Sequence, residues 1–335
     1  MSFAFTPAEQ QRVTLAALGG IHLDPIGYVD LSTIIVLSTM YFIELIALCY
    51  QVYNRRYPPL RVKNVPLMCS LYVGAVIWFV GDISTGGLIH ISQTAALRNC
   101  KLTLIWLRAC LGSYFVTAMF SLRCFSLYYV FCRGKAFTGR VVYLSLSVTV
   151  LALLLFGTIA TVVPSELTTH YVEIFEICDA NRNFIIAMLL ICWLIMAFTA
   201  VMSWRMRNIP FSFNERMEVF ASFVLLIVVS TLNTVCLLAI NVYPASLGWR
   251  TTLVYANHVG ASVAYWIIMG EATYNCIFNR EKYLQYWIGT LREDGTKQQY
   301  QYVSDHNNEA TLNLVEHSQP TATVSGNDDY AHSSK

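Results

Sequence analysis

Residues 183–204 read NFIIAMLLICWLIMAFTAVMSW, and Arg205 follows directly. The run holds no charged residue. A helix that crosses the hydrocarbon core of a bilayer needs about 20 mostly apolar residues, and this stretch supplies them. Six more stretches have the same length and character: Tyr28–Tyr53, Val65–Ile91, Lys101–Phe131, Val141–Val163, Glu218–Ile240 and Thr251–Cys276. Together they predict an all-α integral membrane protein, a seven-transmembrane helix bundle. The composition agrees. Of 335 residues, 56% are hydrophobic and only 13% are charged, against about 25% charged in a soluble domain. Mean hydropathy is +0.51. These values exclude an ordinary cytosolic enzyme, a disordered chain and a disulfide-stapled secreted domain.

The net charge of +2 is uninformative, but its distribution is not. Arg55, Arg56, Arg61 and Lys63 follow the first span. Arg133, Lys135 and Arg140 follow the third, and Arg205, Arg207 and Arg216 follow the fifth. Arg280, Lys282, Arg292 and Lys297 follow the seventh. The opposite side holds only Arg12, Arg98, Lys101, Arg182 and Arg250. Loops rich in Lys and Arg stay inside, so the N-terminus is predicted outside and the C-terminus inside a multi-pass plasma-membrane protein. The apolar stretch Val13–Leu18 is too short for a cleavable signal, and the first span is expected to act as its own insertion signal.

The remaining segments follow from this frame. Residues 1–27 form a short extracellular N-terminus. Residues 277–292 form a short amphipathic interfacial helix, with Ile277, Leu284, Ile288 and Leu291 on one stripe beside Trp287, and Arg280, Glu281 and Lys282 facing away. Residues 293–335 are polar and read as a disordered cytoplasmic tail. Ten cysteines occur without CxxC pairing, which is no metal or redox framework. Cys100 and Cys178 face the oxidising side, where a bridge or two free thiols both fit. No cofactor, metal or nucleic-acid partner is expected, and membrane lipid is the one certain environment.

Ionisable residues inside spans are costly and are therefore functional candidates. They are Glu44, Asp82, Arg108, Arg123, His258 and Glu271. At 1.5 Å per residue, Asp82 in the second span and Arg108 in the antiparallel third lie at a similar outer depth. An ion pair is expected, because either charge alone is expensive there. Asn233, Asn257 and His258 reach the same level. The five form either a structural polar cluster or the floor of an outward-facing ligand pocket, in which Arg108 clamps a carboxylate or phosphate bidentately. Near the inner face, Arg123 faces two acids, Glu215 and Glu271, and pairs with either or snorkels to the headgroups.

The segment Arg207-Asn208-Ile209-Pro210-Phe211-Ser212-Phe213-Asn214-Glu215 leads into the sixth span. It resembles the Pro-x-x-Phe-Asn-Glu approach to the sixth helix of glutamate-type (class C) G-protein-coupled receptors. Arg123-Cys124-Phe125-Ser126-Leu127-Tyr128-Tyr129-Val130-Phe131 is similar to the inner end of the same family's third helix. Asn279-Arg280-Glu281-Lys282-Tyr283-Leu284 resembles the exit from helix seven in fungal seven-helix receptors related to that class. Some of those carry a regulator-of-G-protein-signalling domain. The resemblance, and analogy with other seven-helix proteins, implies a Cys100–Cys178 bridge. It implies an inner Arg123–Glu215 lock, with Glu271 left open, since Gly270-Glu271-Ala272-Thr273-Tyr274 replaces the family's Pro-Lys-x-x-Tyr-like pattern. Fewer than thirty residues precede the first span, so neither a class C ligand lobe nor a regulator domain after Leu291 is expected.

The expected function is a G-protein-coupled receptor-like sensor that carries an extracellular small-molecule or nutrient signal to a heterotrimeric G protein, with self-association left open. The alternative is a small-solute transporter, although no inverted repeat of broken helices is visible. An enzyme is not expected, because the seven histidines show no HxxxH or HxxHH spacing. A retinal Schiff base in the seventh span is excluded, since no lysine lies between Thr251 and Cys276.

Overall fold

The computed structural model describes residues 7–91, 94–133, 137, 140–173, 176–206, 215–240 and 243–293. The expected tail falls outside them, as does most of the approach to the sixth span. The described chain is mostly helical. α1 is Pro7–Leu18, α2 Tyr28–Tyr53, α3 Pro58–Val62, α4 Val65–Thr85 and α5 Ala95–Arg98. A π-helical segment, Lys101–Tyr114, runs into α6, Phe115–Phe131. α7 is Arg140–Val162, α8 Arg182–Arg205, α9 Glu215–Ala239, α10 Leu247–Phe278 and α11 Arg280–Glu293. The all-α reading needs one amendment: β1, Thr169–Val172, and β2, Ile177–Ala180, form an antiparallel hairpin between α7 and α8.

Six helices among the described residues are long and apolar enough to cross a membrane: α2, α4, the continuous stretch Lys101–Val130, α7, α8 and α9. The chain is thus a multi-pass membrane protein by length and composition. α10 has 32 residues but is less apolar. Its Arg250, Asn257, His258, Ser262 and Thr273 are buried against the other helices, so polarity that lowers its hydropathy lies inside the protein.

Local chemistry sets the boundaries. Gly27 donates its N–H to Asp30 Oδ2 at 3.0 Å, closing the first turn of α2. Asn64 caps α4 from a left-handed conformation (φ 56°) and accepts from the Leu67 N–H; Pro66 follows at the start, where its missing N–H costs nothing. α4 stops at Thr85 rather than at the expected Ile91, because Gly86 and Gly87 follow and Gly87 takes φ 74°. Asn279 (φ −136°, ψ 38°) separates α10 from α11, so the amphipathic helix starts three residues later than its apolar stripe suggests. Leu284 and Ile288 are half-buried, whereas Arg280, Glu281 and Lys282 are exposed, as expected.

The helix Lys101–Val130 is the axis of the bundle. Within its most apolar window 61% of residues are buried, against 6% for α7 at the periphery. Ile43, Val148, Leu151 and Leu194 point outward and are exposed, an arrangement suited to hydrocarbon rather than water. α4 and the π segment meet backbone to backbone. A Cβ added to Gly81 would stand 2.6 Å from Arg108 N; one on Gly112 would stand 2.9 Å from Trp78 Cα. Only glycine permits this approach. Gly112 also breaks the helical path (φ −93°, ψ −107°) and marks the kink in this helix.

Candidate functional site

The close contact at Gly81 brings the next residue, Asp82, beside Arg108. Arg108 Nε lies 2.6 Å from Asp82 Oδ1, and Asp82 is fully buried. Asn257 Nδ2 donates to Asp82 Oδ2 at 2.8 Å, and Asn233 Nδ2 donates to Asn257 Oδ1 at 2.6 Å. His258 Nε2 lies 3.3 Å from Asp82 Oδ2, while its Nδ1 is 2.9 Å from the Tyr41 hydroxyl. All five residues expected at this depth therefore form one network, and it ties α2, α4, the π segment, α9 and α10 together. Tyr72 steadies Tyr41 by donating to its carbonyl at 3.0 Å.

Arg108 has further partners that the sequence did not reveal. Its Nη1 donates to the Tyr243 hydroxyl at 2.6 Å and to Thr85 Oγ1 at 3.3 Å. Tyr243 lies in the short turn Tyr243–Ala245 between α9 and α10. Burial pushes its phenol above the ordinary value, and the guanidinium beside it opposes that rise only in part, so the hydroxyl remains a neutral acceptor. The bidentate clamp expected of Arg108 is therefore not available. Nε faces Asp82 and Nη1 is committed to Tyr243, which leaves Nη2 alone. Nη2 makes no hydrogen bond among the described residues.

A cavity of about 170 Å³ opens beside Arg108. It lies between the π segment with α6, α8 and α9, under the β1–β2 hairpin, and Trp78, Tyr114, Met188 and Leu226 supply apolar walls. Of the five expected pocket residues, Arg108 and Asn233 line it. Asp82, Asn257 and His258 stand behind them as support. The hairpin roof is fixed by the Cys100–Cys178 disulfide, with Cα atoms 5.4 Å apart, and Cys178 itself lines the cavity. The bridge implied by the resemblance is thus present and forms part of the wall.

A second buried ion pair closes the same end of the bundle. Arg250 Nε and Nη2 bind Asp30 Oδ1 and Oδ2 at 2.8 and 2.7 Å. Nη1 and Nη2 also donate to the carbonyls of Asp24 and Pro25. Every nitrogen of this guanidinium is used, so it is a staple rather than a receptor group. Asp30 and Arg250 likewise lie at one depth, at the facing ends of α2 and α10.

At the opposite end, Arg123 is buried and donates from Nη1 to the Lys63 carbonyl at 2.5 Å. Among the described residues its Nε and Nη2 have no hydrogen-bond partner. Lys63 forms an ion pair with Glu218, one turn into α9, and both are buried. Glu215 opens α9, but its side chain lies outside the described residues, as do Pro210, Phe213 and Asn214. Glu271 is not brought to Arg123. It is exposed and accepts from the Tyr283 hydroxyl of α11 at 3.3 Å. Lys63, read from sequence only as a loop cation, and Glu218 are the residues this region adds. Among the described residues no cluster of three or more His, Cys, Asp or Glu side chains is arranged to hold a metal ion. Compared with known proteins, the chain matches no family model and no curated protein.

Proposed function

We propose that the chain is a seven-helix plasma-membrane receptor of the G-protein-coupled type. In this reading α10 is the seventh span, and the hairpin, the disulfide and α1 lie outside. The basic loops and α11 lie inside. A small extracellular molecule enters the cavity beside Arg108, and a heterotrimeric G protein reads the opposite end. The observation that carries the proposal is the polar network itself. It joins a cavity-lining cation to five helices, so a ligand at Arg108 touches a structure that α9 and α10 share. Lys63–Glu218, resting on Arg123 through the Lys63 carbonyl, holds α9 against the loop after the first span and serves as the inner latch.

Magnitudes set the expectation. Taking one partner from a buried ion pair costs about 3–5 kcal/mol, and moving a two-state equilibrium from 1:99 to 99:1 takes about 5.5 kcal/mol. Where about 1 kcal/mol of that cost falls on the closed state alone, a 1:99 equilibrium moves to about 5:95, several-fold more open state. Reconstituted with a Gα subunit, Glu218→Ala is expected to raise basal nucleotide exchange several-fold over the native chain. Unchanged exchange at equal expression would sink the latch. No exchange from any variant would sink the receptor reading.

One observation favours the transporter alternative. A seam of polar contacts runs the length of the α2–α10 interface: Tyr41 with His258, Glu44 with Ser262, Gln51 with Thr273 and Tyr265, and Asn54 with Arg280 of α11. Such a line suits a solute or proton path. Uptake into sealed liposomes by the purified chain separates the two, since a receptor gives none.

A further inference from the structure

The cavity has a chemistry narrower than "small molecule". Its size is close to the ~150 Å³ of apolar cavities that admit one benzene ring, so a single ring or a chain of similar bulk fills it. Its walls are mainly apolar, from Trp78, Leu104, Met188, Leu226 and Leu237. Arg108, the one cation among the described lining residues, is already balanced by Asp82. The pair is neutral as a unit, and a second anion would carry an uncompensated charge into a medium that penalises it heavily. A cation would meet the guanidinium directly. Asp179, also in the lining, is half-exposed and faces His170 at 4.0 Å, so water screens it from the deep end. Several polar groups in the lining keep capacity, the Tyr243 hydroxyl among them as a donor, and two adjoin the network. Arg108 Nη2 is a donor without a hydrogen bond among the described residues. Asn233 commits Nδ2 to the Val229 carbonyl and to Asn257, which leaves its Oδ1 as an acceptor.

We propose that the cavity binds an uncharged, largely apolar molecule of about one ring in size, bearing a single hydroxyl or carbonyl oxygen that accepts from Arg108 Nη2. This deepens the receptor reading and rests on it for its role, but binding is measured without a G protein. The specificity follows from commitment: with Nε and Nη1 engaged, Arg108 reads one oxygen rather than a two-oxygen anion. A hydroxyl suits the site best, because it accepts from Arg108 and donates to an acceptor such as Asn233 Oδ1.

The test uses the full chain in detergent and four probes of one shape: benzyl alcohol, toluene, benzoate and benzylamine. At ten times its dissociation constant, benzyl alcohol is expected to raise the unfolding midpoint by about 2 °C. Toluene is expected to give less, and benzoate and benzylamine close to nothing at neutral pH. Ser230→Phe fills the cavity and is expected to abolish the shift. Leu237→Trp repeats the test should that variant fail to fold. Val148→Phe, on the exposed face of α7, is expected to keep it. Arg108→Lys retains a charge for Asp82 but removes Nη2, and is expected to reduce benzyl alcohol to the level of toluene. A larger shift with benzoate than with benzyl alcohol overturns the proposal. So does a shift that survives cavity filling, or none with any probe. Binding without nucleotide exchange would count against the receptor reading alone.

Discussion

Asp82 and Arg108 stabilise the bundle only as a pair. Asp82→Asn leaves a buried guanidinium short of its counter-charge, and Arg108→Gln does the same to the carboxylate. Each single change is expected to cost about 3–5 kcal/mol, measured as loss of thermal stability in lipid nanodiscs. The double substitution is expected to recover most of that loss. A double variant no more stable than either single one would remove the pair from this account. These residues were legible because charge in a bilayer is expensive, and depth along antiparallel helices can be counted. Asn233, Asn257 and His258 followed by the same count. Tyr243 and Tyr41 were not legible. A tyrosine among twenty in the chain announces no partner, and the Tyr243 turn has no periodicity to place it. Lys63 was hidden by its location. In sequence it is one more cation after the first span, and only the fold folds it inward onto Glu218.

At the level of elements, the decisive contact is glycine against backbone. Gly81→Ala places a methyl group within 3 Å of the Arg108 backbone. That atom cannot rotate away, so the cost falls at the upper end of the roughly 1–3 kcal/mol seen for overpacking. Gly248→Ala, with nothing within 4 Å, is expected to leave stability unchanged. Equal effects from the two in thermal unfolding would argue against the close packing. The helices themselves were largely readable from apolar length, to within a few residues. The π winding was not, because hydropathy carries no information on hydrogen-bond register. The hairpin was missed for a related reason: two four-residue strands in an acidic loop carry too short a pattern to stand out. The junction of α3 with α11 makes a separate prediction. Tyr57 donates to the Arg280 carbonyl at 2.9 Å, and burial pushes its phenol up to about 12, against the pull of Arg280. An unfolded tyrosine ionises first, near pH 10, so its contribution is intact below that value. It declines as pH rises towards about 12. Tyr57→Phe is expected to flatten the stability curve over that interval alone.

At the scale of the whole molecule, the proposed orientation in the membrane can be tested directly. A tag fused before Pro7 is expected to bind antibody on intact cells, and one after Glu293 only after permeabilisation. The reverse pattern would invert the proposed topology and place the cavity towards the cytoplasm. Cation distribution made this prediction readable from sequence, whereas the membership of α10 in the bundle rests on packing. Its polar residues face Asp30, Tyr41, Glu44, Gln51 and Asp82, which is why it is the least apolar of the long helices and yet deeply buried. The glycine contact has one further consequence at this scale. Where Gly81 and Gly112 bring α4 and the π segment together, no side chain on the glycine can give way, and the two have little room to slide. In the proposed receptor they would be the fixed part of the bundle. On that reading, a movement that ends at Glu218 would be taken up by α8, α9 and α10 turning around that fixed pair.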